Sequence, residues 1–271
     1  MLIPIGELDD PRIEGYRATR DKDLAGRSGR FVVEGEVVLR VLLAAATFPI
    51  ESVFLDERRV DSLREVLTRV PDVPVYVASQ PLMSAIVGFP IHRGVLALAR
   101  RPATAATPET LLAPPGPRLL VALEGIANHD NVGGIFRNAA AFGADGVLLD
   151  EASCDPLYRK AVRVSVGGVF RVPHARVPAP RDLAAELLRH GFCVLALTPA
   201  ASAAPLDAVL AGPLGERVAL LLGAEGPGLR PASLARATAV RIPMTPGFDS
   251  LNVAVASGIA LSAARSALRR P

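Results

Sequence analysis

The sequence predicts an α/β protein in two parts, and three observations carry that expectation. Apolar runs of strand length alternate with helix-period segments through most of the 271 residues. A Pro-, Ala- and Thr-rich stretch without periodicity, within RPATAATPETLLAPPGP (101–117), interrupts the alternation. Half of the residues are apolar, enough for a sizeable core on each side of it. Residues 1–104 are therefore expected as a smaller α/β domain, 105–117 as a linker and 118–271 as the larger domain.

In the first part, FVVEG (31–35) predicts a short strand and EVVLRVLLAAA (36–46) a buried helix. ESVFLD (51–56) predicts a strand, ERRVDSLREVLTRV (57–70) an amphipathic helix and VPVYVA (73–78) a strand. A helix near 80–87 and the strand GVLALA (94–99) follow. Beyond the linker, strands are expected at 118–126, 146–150, 192–198, 217–223 and 239–244, and helices at 133–143, 155–165, 181–191, 230–237 and 251–268. That order predicts a mostly parallel sheet, whose ligands sit beyond the carboxyl ends of strands.

Composition narrows the function classes. The formal charge of +3 tolerates a polyanion without demanding one. Two cysteines, Cys154 and Cys193, cannot build a disulfide framework, and the four histidines lack metal-ligand spacing, so no metal is expected. The amino-terminal residues carry early acids and no long apolar run, and no run elsewhere is long enough to cross a bilayer. A cytoplasmic location without a membrane partner is expected. The glycine fingerprints GxGxxG and GxxxxGK[ST] are absent, which weighs against a Rossmann-type dehydrogenase.

Chemistry concentrates in three loops after strands. In EGIANHDNVGGIFRNAAAFG (124–143), Asn131 stands just before the expected helix, where an N-cap role accounts for it. Arg137 has apolar and small neighbours, so partial burial is expected, and a buried guanidinium needs an anion. An internal salt bridge and a substrate phosphate satisfy that need equally. In LLLGAEGPGL (220–229), three glycines flank Glu225, which favours a ligand loop over a plain turn. In RIPMTPGFDSLNVAVASGIAL (241–261), Asp249 or Ser250 can cap the last helix, while capping explains Asn252 less well.

The order NxGxxxR, GxEGxGL, IPMxxxxxSLNVAxAxxIxL resembles the three motifs of the SpoU (TrmH-like) branch of the SPOUT methyltransferases. VSVGGVFRVP (164–173) is also similar to that family, and 27–43 with 92–99 resemble its ribosomal-protein-like RNA-binding domain. NHDNVG (128–133) departs from the usual DPxNxG, and Ala224 stands where Asn is common.

The resemblance implies a carboxyl-terminal trefoil knot, a homodimer and methyl transfer from S-adenosylmethionine to a ribose 2′-hydroxyl of RNA, ribosomal RNA before transfer RNA. The small-residue face of 251–268 is compatible with the dimer. The implied cofactor contacts are Thr198, Gly223, Ile242, Met244 and Leu251, and the implied catalytic set is Arg137, Asn131, Glu225, Ser250 and Asn252. Arginine is too basic to serve as a simple proton acceptor at neutral pH, so Arg137 is expected to orient the ribose-phosphate. Candidate RNA contacts are Arg17, Arg20, Lys22, Arg27, Arg30 and Arg93. The alternatives are a transfer-RNA 2′-O-methyltransferase and a non-catalytic RNA-binding or resistance factor of the same fold.

Overall fold

Apolar strands build two separate sheets, each with its own core. The computed structural model describes residues 2–17, 29–102 and 106–268, and these divide into two units. Unit 1 holds residues 1–104 together with 157–170, and unit 2 holds 105–156 and 171–271.

In unit 1, β1 (Leu2–Pro4) and β2 (Arg30–Glu34) precede α1 (Glu36–Ala45). Then come β3 (Ile50–Asp56), α2 (Val60–Leu67), β4 (Val75–Ala78), α3 (Gln80–Val87) and β5 (Val95–Arg100). The strand order is β1-β4-β3-β5-β2, with β5 antiparallel to both neighbours and the other pairs parallel. β2, β3 and β4 therefore end on the same edge. Phe54, Met83 and Leu96 fill the core. Tyr16 is buried there too; its hydroxyl donates to the Ser52 carbonyl at 3.0 Å and accepts from the Leu98 N–H at 3.1 Å.

The expected linker is a correction. Residues Pro108–Leu112 form a helix, α4, closed by a capping box in which Thr107 and Thr110 exchange side-chain and backbone hydrogen bonds. Its Leu111 and Leu112 are buried in the unit 2 core. Burial of that leucine pair outweighs the flexible composition around it.

Unit 2 continues with β6 (Arg118–Glu124), α5 (His129–Ala141) and β7 (Gly146–Leu149). The next helix, α6 (Arg159–Val164), packs on β2 in unit 1. The chain thus leaves unit 2 after residue 156 and rejoins it at 171, where an uninterrupted domain was expected. Phe170 anchors that excursion, its ring centroid 5.1 Å from Phe48 and 5.8 Å from Phe31.

After it come β8 (His174–Arg176), α7 (Leu183–Arg189), β9 (Cys193–Leu197), β10 (Ala204–Pro205) and α8 (Leu206–Leu210). The unit closes with β11 (Arg217–Gly223), α9 (Pro231–Arg236), β12 (Thr238–Arg241) and α10 (Val253–Leu268). The order is β10-β12-β9-β11-β6-β7-β8, every pair parallel.

The small-residue face of α10 is used inside the chain. Ser257, Ala260 and Ala264 are buried and α10 packs on α5. Asn138 of α5 donates to the Ala254 carbonyl at 2.7 Å and to the Ser257 hydroxyl at 2.9 Å. A Cβ on Gly134 would lie 2.7 Å from the Ala254 Cβ, so glycine permits this approach. Among the described residues, no helix is long and apolar enough to cross a membrane.

Candidate active site

The carboxyl ends of β9, β11 and β12 and the start of α10 enclose a cavity of about 770 Å³. Thr198 follows β9, Gly223 ends β11, Ile242 and Met244 follow β12, and Leu251 precedes α10; all five line the cavity. Glu225, Ser250 and Asn252 line it as well. The cavity thus lies beyond the ends of parallel strands.

Local sequence explains the walls. After β11 the chain doubles back, with the Gly228 N–H donating to the Ala224 carbonyl at 3.0 Å. A Cβ on Gly223 would lie 2.5 Å from the Leu229 nitrogen, so this return requires glycine. Gly226 and Gly228 carry φ of 86° and 70°, which completes the tight loop. Between the lining residues Met244 and Ser250, Thr245–Phe248 closes a turn with Pro246 second and Gly247, at φ 85°, third.

The polar set is joined by one side chain. The Asn252 Nδ2 donates to the Asn131 Oδ1 at 2.8 Å and to the Glu225 Oε1 at 2.9 Å. Its Oδ1 accepts from the backbone N–H of Ala254 at 2.9 Å. Asn252 is therefore the cap of α10, the role expected of Asp249 or Ser250. Capping fixes its oxygen and leaves its amide to hold two partners from other loops. Asn131 is buried in the first turn of α5 and does not cap it. The helix starts two residues earlier, and the Asn128 side chain accepts from the Asp130 N–H at 2.8 Å. Ser250 is exposed on the cavity wall.

Arg137 corrects the burial expectation. It is exposed, it does not line the cavity, and among the described residues it has no hydrogen-bond or ion-pair partner. The sheet-facing side of α5 is taken by Val132, Ile135, Phe136 and Ala139, which are buried, and the side facing α10 by Gly134 and Asn138. Arg137 occupies the remaining side. Its apolar sequence neighbours belong to other faces of the helix. The internal salt bridge is thereby removed as an explanation.

Of the expected RNA contacts, Arg20, Lys22 and Arg27 lie outside the described residues. Arg30 pairs with Glu51 at 2.8 Å, and Arg17 donates to the Asp10 carbonyl at 3.0 Å. Arg93 is exposed.

One residue behind the site was not singled out. Glu124 ends β6 almost fully buried and accepts from the Arg230 backbone N–H at 2.6 Å, the Arg230 guanidinium at 2.8 Å and the Ser233 hydroxyl at 2.5 Å. Burial alone raises its pKa, but these hydrogen bonds outweigh that and hold it below the ordinary glutamate value. The pin fastens the chain where the 224–229 loop ends. The signal in sequence was a lone acid closing the apolar run RLLVALE.

The sequence profile of the SpoU rRNA methylase family matches residues 118–262. The chain is 42% identical over 258 residues to an uncharacterized tRNA/rRNA methyltransferase of Mycobacterium bovis, covering 93% of this chain and 88% of that one. It is 30% identical over 219 residues to the 23S rRNA (guanosine-2′-O-)-methyltransferase RlmB of Ralstonia nicotianae, covering 78% and 86%. The crystal structure of an AdoMet-bound rRNA methyltransferase from Sinorhizobium meliloti superposes with a TM-score of 0.83 at 25% identity, covering 99% of both chains.

Proposed function

The chain belongs to the SpoU rRNA methylase family, and on that premise we propose that it transfers a methyl group from S-adenosylmethionine to a ribose 2′-hydroxyl of RNA. The observation that carries this reading is the side-chain bridge Asn131–Asn252–Glu225, whose Asn252 and Glu225 line a glycine-bounded cavity. The cavity fits the cofactor. Its volume is within the range of small-molecule sites, its walls are largely apolar and backbone, and Glu225 is the ionisable group among its lining residues. A carboxylate there favours a ligand bearing positive charge. Thr198, Gly223, Ile242, Met244 and Leu251 would hold it. When bound, the cofactor supplies an electrophilic methyl on its sulfonium.

The chain's own residues then align the acceptor. Asn252, locked by its cap, fixes Asn131 and Glu225, and Ser250 offers a hydroxyl to the ribose. Arg137 presents an unpaired guanidinium suited to the phosphate beside the target ribose. It orients that phosphate, and proton removal from the 2′-hydroxyl depends on the phosphate.

In this reading the protein acts on ribosomal RNA, the substrate named for the relative from Ralstonia. The carboxyl-terminal strands and α10 form a trefoil knot. Two copies pair, and support comes from Val255 and Ile259, 53% and 42% exposed and one turn apart on α10 beside Asn252. Ile259→Glu should give a monomer in light scattering; an intact dimer removes α10 from the interface.

The reading is tested by mapping 2′-O-methyl sites in ribosomal RNA from a deletion strain, with and without the protein restored. Arg137→Lys keeps the charge and loses the planar fork, so turnover should fall by roughly 100-fold or more while S-adenosylhomocysteine still raises the melting temperature. Near-normal turnover removes the geometric role. Stabilisation by NAD in place of S-adenosylhomocysteine overturns the function.

A further inference from the structure

The rim of the cavity in unit 2 carries an aromatic ring that the reaction described so far does not use. The chain holds nine phenylalanines, three tyrosines and no tryptophan. Phe248 is exposed, and all the other rings are buried or partly buried. At 64% it is also the most exposed large apolar side chain among the described residues. A lone exposed apolar residue means little by itself. The place and the support of this one set it apart.

Phe248 stands two residues before Ser250 and four after Met244. Both of those residues line the cavity, whereas Thr245 to Asp249 do not. The ring therefore lies outside the space assigned to the cofactor and beside the residue assigned to the ribose. The backbone beneath it is fixed. The Phe248 N–H donates to the Thr245 carbonyl at 3.3 Å, Pro246 restricts the second position of that turn, and Gly247 takes the third at φ 85°. The other exposed residues of the loop are Thr245, Pro246, Gly247, Asp249 and Ser250. None of them extends the ring into the broad apolar patch that a protein partner needs. The Asp249 carboxylate next to it repels phosphate. A flat, uncharged group with a π face fits these surroundings, and a nucleobase is such a group.

We infer that Phe248 stacks on the base of the acceptor nucleotide and so holds the ribose against Ser250. The inference rests on the proposed reaction, in which Ser250 meets that ribose. Two residues of chain span at most about 7 Å, so a ribose at Ser250 leaves its base within reach of the ring. Aromatic side chains hold unstacked RNA bases in this way, and the contact tolerates any base because each has a π face. Phe248 thus selects an unstacked nucleotide and leaves the identity of the base to other contacts.

The test uses the full chain and ribosomal RNA from the deletion strain. Because the chain has no tryptophan, Phe248→Trp sets one indole at the rim. Its fluorescence should be quenched by the RNA and should not respond to S-adenosylhomocysteine. Phe248→Ala should raise the KM for RNA by about tenfold or more, with affinity for S-adenosylhomocysteine within about twofold. Phe248→Leu keeps apolar bulk but loses the π face, so it should resemble the alanine variant, while Phe248→Trp stays near the wild type. An indole that RNA does not quench overturns the stacking, as does a leucine variant with wild-type KM. A tenfold fall in S-adenosylhomocysteine affinity in Phe248→Ala makes the ring a cover for the cofactor, and a dimer lost in light scattering makes it a contact between copies. Either result overturns the inference. A quench missing from an enzyme that methylates strikes the ring alone. A wild-type chain that methylates no RNA removes the reaction and the inference together.

Discussion

Both units gather polar groups where parallel strands end, but they build these edges from different parts of the polypeptide. Unit 2 makes a cavity from loop backbone and glycine, with three polar side chains joined through one asparagine. Unit 1 makes an edge of long charged side chains paired with acids, of which Glu34 and Asp56 are buried and Glu36 is partly exposed. A small ligand is enclosed by backbone that cannot move far, so the walls need glycine and tight turns.

The contrast breaks most readily at Gly223. Gly223→Ala forces a Cβ onto the returning loop and should weaken S-adenosylhomocysteine binding by about 100-fold or more in calorimetry. Unchanged S-adenosylhomocysteine affinity would remove the returning loop from the cofactor site.

Glu124→Gln comes next. It keeps the shape but removes the charge that Arg230 and Ser233 satisfy, and should cost about 2–3 kcal/mol of stability in urea unfolding. Because the folded pKa of Glu124 is lowered, its stabilisation is present above the unfolded glutamate range and disappears as pH falls through the folded value. The wild type should therefore lose its advantage over the variant on acidification; a constant difference down to pH 3 would remove the ionic part of the pin.

The smallest expected effect is in the excursion that joins unit 1. Val166, just past the Ser165 cap of α6, has φ 52°, a left-handed conformation unfavourable for a β-branched residue. Val166→Asn should raise stability by about 0.5–1 kcal/mol and leave both ligand affinities alone. A loss of stability would mean that the Val166 side chain packs more strongly than the turn is strained.

Legibility followed the range of the interaction. Gly223, Glu225 and Asn252 were found because glycine and polar residues interrupt apolar periodicity at strand ends, and such a signal is local. Arg137 was misjudged as partly buried because its sequence neighbours are apolar, although they occupy other faces of α5. The capping role moved from Ser250 or Asp249 to Asn252 for a similar reason: several residues in one loop can cap, and only the observed start of α10 selects among them. Leu111 and Leu112 turned a supposed linker into a helix because a core stood ready to receive them.

By itself the sequence determined the alternation of strands and helices, the parallel sheet of unit 2, the loops that bear the site and, through three ordered motifs, the family. These depend on residue type and short spacing, which the chain carries without reference to distant partners. Tertiary structure alone decided that residues 157–170 fold with unit 1, that Glu124 braces the loop after β11, that Arg137 is unpaired among the described residues, and that arginines from α1 to α6 gather at one edge. The Glu124–Arg230 brace and the Glu34–Arg159 pair join residues more than a hundred positions apart, and burial and ion pairing across such separations exist only once the sheets have formed.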